Sequence, residues 1–158
     1  MTTLAVIRAD EVNFPLFLHV LGAMLLVGML MAVVAAIMLG WRRRDPAEAA
    51  ALTRFGLRVL LFGVVPAYVV MRVGAQWTES EENLPEEVVE ESWWLGIGYI
   101  TADAGALLIL ISIVLAIVGL LRLRTGRGLG FGRATGIIST LLLAAYLVAV
   151  WAMTVKPD

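Results

Sequence analysis

Four long apolar stretches, at roughly residues 14–40, 55–75, 93–121 and 131–155, decide what this chain can fold into. Each supplies the 20 or so residues that carry a helix across ~30 Å of hydrocarbon. Strands of a membrane barrel would be about 10 residues long and strictly alternating. Segments 107–121 and 141–150 are instead apolar almost throughout, so helices are the only plausible spans. Composition agrees: 61% of the 158 residues are hydrophobic and 16% charged, with a mean hydropathy of +0.91, outside the range of a soluble domain. The sequence predicts an all-α, polytopic membrane protein, a single four-helix transmembrane bundle over residues 1–158 with an acidic connector at 76–92. The first stretch is too long for a signal-peptide core and is flanked by Asp10 and Glu11, so it is expected to remain as a helix. The chain has no cysteine, which excludes disulfides, thiolate metal sites and cysteine catalysis.

A net charge of −1 conceals a strong asymmetry. Of twelve Lys and Arg residues, nine fall after the first and third stretches: Arg42, Arg43, Arg44, Arg54 and Arg58, then Arg122, Arg124, Arg127 and Arg133. The positive-inside rule makes both segments cytoplasmic. The connector between the second and third stretches carries Glu79, Glu81, Glu82, Glu86, Glu87, Glu90 and Glu91, and is expected outside, together with both termini. Tryptophan favours the headgroup level, and Trp41, Trp77, Trp93, Trp94 and Trp151 all mark ends of the stretches. The expected location is a cell membrane, crossed several times.

The connectors have simple readings. Asp45-Pro46-Ala47-Glu48 has the pattern of a helix start, with aspartate as cap and proline at the first position, so the second helix is expected to extend into the cytoplasm. Thr125-Gly126-Arg127-Gly128-Leu129-Gly130 is glycine-rich, but it follows a membrane helix rather than a strand and lacks the lysine and hydroxyl of a P-loop. It reads as a basic turn beside anionic headgroups. The acidic connector reads as a solvated face, with a short surface helix near residues 86–92. A faint repeat relates Ala67-Tyr68-Val69-Val70 to Ala145-Tyr146-Leu147-Val148, as if two helical hairpins shared an axis along the membrane normal.

Within the spans stand three ionisable residues: His19, Arg72 and Asp103. A charge at the centre of a membrane helix costs roughly 2.5 to 3.5 kcal/mol on insertion scales, so it is normally paired, hydrated or functional. Tyr68, Arg72 and Gln76 are spaced by four and share one face of the second helix. Tyr99 and Asp103 repeat that spacing on the third, with Asp103 about 15 Å below Trp93. His19 lies about 7 Å below the start of the first helix and Tyr146 about 12 Å below the outer end of the fourth. Every helix thus contributes to one polar layer in the outer half, whereas the inner half offers only Ser112, Thr135, Ser139 and Thr140. Gly22 and Ala23 beside His19, and Gly63 with Ala67, permit close helix approach. Pro66 is expected to bend the second helix and to free a carbonyl near Phe62.

The stretch Phe17-Leu18-His19-Val20-Leu21-Gly22-Ala23-Met24, with Gly28 beyond it, resembles the first helix of small bacterial membrane families, namely copper-resistance D-like proteins and HemJ-like haem-biosynthesis proteins. The resemblance covers about a dozen residues and implies an inner-membrane bundle whose first-helix histidine binds haem b or a metal such as copper. It rests on His19 and Gly22, and the chain has no second histidine.

Three classes of function follow. In the first, the layer is a pocket for a cofactor or small ligand, lined by His19, Tyr68, Arg72, Gln76, Tyr99, Asp103 and Tyr146. There Arg72 grips an anionic group, and a metal is held by His19, Asp103 and Met24. In the second, the chain is a structural or assembly subunit with a buried Arg72–Asp103 pair, its partners being the bilayer and a further copy or another membrane protein. In the third, Asp103 and His19 relay protons or cations. Hydrolytic catalysis is the least supported, because no serine or glutamate accompanies His19 at depth, and nothing indicates nucleic-acid binding, since membrane orientation accounts for the basic residues.

Overall fold

The computed structural model describes residues 10–82, 93–127 and 129–155. Its helices are α1 (Asp10–Arg42), α2 (Pro46–Val59), α3 (Val65–Glu82), α4 (Trp93–Leu123) and α5 (Leu129–Val155), with a π-helical turn, Leu60–Val64, joining α2 to α3. Pro46–Glu82 is therefore one continuous rod, and with α1, α4 and α5 it makes four helices long and apolar enough to cross a membrane. The protein is an all-helical, multi-pass membrane protein.

The second span begins at Pro46, nine residues ahead of the apolar stretch, because its start is capped. The carboxylate of Asp45 accepts a hydrogen bond from the Ala47 N–H at 2.9 Å, and proline occupies the first turn, where its missing N–H costs nothing. Glu48 turns to Arg43, 3.5 Å away. The first span likewise starts early, at Asp10, so that Pro15 stands in its second turn. At the other end α3 runs on to Glu82, taking Gln76 and the first glutamates of the acidic connector into helix. Trp77 donates to Glu81 at 3.1 Å and its ring meets Phe14 edge-on at 5.8 Å. The rest of that connector, with its expected surface helix, lies outside the described residues.

Pro66 shapes the rod from within. In a regular α-helix its ring would press on the Phe62 carbonyl and could offer it no N–H. The preceding turn widens instead, and the Val65 N–H bonds to the carbonyl of Leu60, five residues back.

The glycine-rich connector is a helix cap. The Arg127 N–H returns to the Arg122 carbonyl at 3.0 Å and the Gly126 N–H to Leu123 at 3.3 Å, with Gly126 at φ 76°. This is the Schellman arrangement, which needs a left-handed residue at that position.

α1 is the central element, packed against α2, α3 and α5, while α4 packs on α5 and on α2. Leu26, Leu30, Val33 and Ile37 of α1 meet Leu57, Leu60, Val64, Ala67 and Met71 of the rod, with Ile109 and Ala116 of α4 and Leu142 of α5. Outward positions are as apolar as the core: Phe62 is 79% exposed and Met24 70%. That inversion suits hydrocarbon, where helices gain nothing by hiding leucine and associate through close packing and polar contacts.

Candidate functional site

The α1–α3 contact is the closest in the bundle, and it sets the position of His19. A Cβ on Gly22 would run into the backbone of Met71, and one on Gly74 into the backbone of His19. These glycines let the two helices touch main chain to main chain. The His19 ring then reaches across, its Nδ1 3.1 Å from the Met71 carbonyl oxygen. A carbonyl can only accept, so this contact makes Nδ1 the donor, the tautomer that carries the lone pair on Nε2 when the ring is neutral.

α3 and α4 are held differently. Their backbones do not approach closely, and long side chains bridge the seam. Tyr68 donates its hydroxyl proton to the Ala102 carbonyl at 3.0 Å. One turn on, Arg72 Nη2 donates to Asp103 Oδ1 at 2.8 Å. Two residues on one face of α3 thus grip two consecutive residues of α4. The pair sits on the flank of the bundle: the Asp103 side chain is 69% exposed and that of Arg72 28%.

The Tyr146 ring is 5% exposed, and its hydroxyl lies against Gly105, where a Cβ would collide with it. Among the described residues this hydroxyl has no hydrogen-bond partner, like the hydroxyls of Ser112 and Ser139. Tyr99 belongs elsewhere, its hydroxyl directed at Glu79 near the end of α3. Gln76 is exposed one turn beyond Arg72.

The structure therefore joins Tyr68, Arg72 and Asp103 across the α3–α4 seam, sets Tyr146 against Gly105 of α4, and ties His19 to the α1–α3 contact. It does not gather the proposed metal set. Met24 follows His19 by five residues, roughly 140° around α1, and is on the exposed face. No group of three His, Asp or Glu side chains that could hold a metal occurs among the described residues. Sequence reasoning missed the two backbone carbonyls that act as acceptors, and the cradling roles of Gly74 and Gly105. Gly22 beside His19 already signalled a close contact on α1, and its counterpart on α3 was the spacing of Ala67 and Gly74, seven apart on one helix face.

The architecture and this layer define a class, a four-span helical membrane protein with interhelical polar ties in one half. Comparison with family models, curated proteins and solved structures finds no match.

Proposed function

We propose that this chain is a non-catalytic integral membrane subunit whose α3–α4 seam docks a neighbouring transmembrane helix, from a second copy or from another membrane protein. The observation that carries this reading is the exposure of Asp103. Its carboxylate is tied to Arg72 by one oxygen, yet most of the side chain lies outside the bundle, about 15 Å from the Trp93 end. A polar group at that depth is costly against lipid and is relieved by a donor on an adjacent helix. Ile100, Leu107, Leu110 and Val114 continue the same exposed face of α4. By the positive-inside rule the arginine-bearing end is cytoplasmic and both termini are outside, in an inner membrane.

Single-cysteine variants test it cleanly, because the chain has no cysteine of its own. Ile100→Cys and Leu107→Cys should cross-link in native membranes to a discrete partner, and Met24→Cys should not. Loss of the product on adding Asp103→Asn is expected; equal cross-linking at all three positions defeats the reading.

A second reading has its own support, the Nε2 of His19, which has no hydrogen-bond partner among the described residues. His19 is the one imidazole that could hold haem iron, since the chain has no second histidine, and Arg72 is already engaged by Asp103. Haem, when bound, would supply electron-transfer chemistry; His19 would hold the iron through Nε2 while Met71 orients the ring. A Soret band lost in His19→Ala would establish it. A colourless preparation from haem-supplemented cells would remove it.

A further inference from the structure

At the opposite end of the bundle, a cavity of about 330 Å³ opens between the start of the rod and the end of α4. Arg54, Arg58 and Arg124 line it together with Leu61, Phe62 and Leu120. The arrangement is layered. Arg54 and Arg58 are one turn apart on α2, and Leu61 and Phe62 continue toward the bilayer centre; across the gap, Leu120 lies one turn inward of Arg124. Guanidinium groups thus crowd the headgroup end, and the groove runs about 6 Å down an apolar wall. Phe62, the most exposed of these apolar residues, opens it to the lipid.

Among the described residues no carboxylate pairs with these three charges. Among the described residues, Glu48 is taken by Arg43, Asp45 caps α2, and Arg122 stacks over Phe131 at 5.1 Å. Membrane orientation requires the connectors to be basic, but it does not require three arginines to converge on one groove with an apolar continuation. Such a groove matches a molecule with an anionic head and a hydrocarbon tail, and guanidinium pairs with phosphate through two parallel hydrogen bonds.

We propose that this groove binds an anionic phospholipid, its phosphate among Arg54, Arg58 and Arg124 and an acyl chain along Leu61, Phe62 and Leu120. The site is independent of the α3–α4 seam and stands whether or not that seam has a partner.

The test uses the full chain in detergent, with native mass spectrometry of bound lipid and thermal unfolding as readouts. Phosphatidylglycerol should be retained with a preference of about tenfold or more over phosphatidylcholine, and should raise the unfolding midpoint. Two triple variants remove equal charge: Arg54→Gln, Arg58→Gln, Arg124→Gln in the groove, and Arg42→Gln, Arg44→Gln, Arg127→Gln outside it. The first should lose the preference and the second keep it. Leu120→Trp, which fills the groove without touching an arginine, should also lose it, so a folding failure of the charge variant does not decide the matter. Equal loss in both triples would reduce the effect to diffuse surface charge. Binding of inorganic phosphate that displaces the lipid while Leu120→Trp has no effect would make this a free-anion site. Either result overturns the proposal.

Discussion

Arg72 and Asp103 tie two helices whose backbones stay apart, by a 2.8 Å bond on the flank of the bundle. Removing either partner leaves the other without its counter-charge. Arg72→Gln and Asp103→Asn should each lower stability by about 2 to 3 kcal/mol, the insertion cost of a lone charge. The double variant should recover most of it. Denaturant titration in detergent provides the cycle, and simple additivity of the two losses would show that the pair is not coupled.

Tyr146 and Gly105 make a sharper case. The tyrosine hydroxyl is buried without a partner among the described residues, and an unsatisfied buried hydroxyl costs about 1 to 3 kcal/mol. Tyr146→Phe should leave the unfolding midpoint unchanged or raise it. Gly105→Ala should lower it, and should do so less in the Tyr146→Phe background. A destabilised Tyr146→Phe would mean that the hydroxyl has a bound water or ligand.

The α1–α3 contact depends on the absence of two side chains. Gly22→Val and Gly74→Val should each destabilise by about 1 to 3 kcal/mol, as overpacking does, whereas valine at exposed Gly28, where a Cβ meets nothing within 4 Å, should be far milder. Comparable effects at all three positions would count against a main-chain contact.

The π turn predicts an insertion rule. It holds one residue more than an α-helical turn, so deleting one residue within Leu60–Val64 together with Pro66→Ala should keep Tyr68 and Arg72 facing α4. A one-residue deletion at Val70 should rotate Arg72 by roughly 100° relative to Tyr68 and abolish its coupling to Asp103. Coupling measured by paired substitution distinguishes the two, and its survival in the second deletion refutes the rule.

Much of this was visible in the residues, for identifiable reasons. Hydrocarbon demands long apolar helices, so the four spans are written directly in composition. Asp45-Pro46 carries a local capping signal that needs no tertiary context, and four-residue spacing placed Tyr68 beside Arg72. What stayed hidden involved groups without residue signatures. The carbonyls of Met71 and Ala102 could belong to any amino acid, yet they settle where His19 and Tyr68 bond. Tyr99 was assigned to the layer because it stands four residues from Asp103; α3 continues past residue 75 and brings Glu79 to it. The outward turn of Asp103 was illegible because α4 is apolar on all sides, so its sequence does not declare which face meets the bundle. Met24 shared only proximity in sequence with His19.

The Pro46–Glu82 rod is 37 residues long, about 55 Å, against some 30 Å of hydrocarbon. A beam that overhangs its support acts as a lever, and among the described residues its one departure from α-helical winding is the widened turn at Leu60–Val64. Arg54 and Arg58 sit on one arm, Tyr68 and Arg72 on the other. Torque applied at one end of the rod therefore reaches the other through that turn, and the stiffness of the turn sets how much of the twist is delivered.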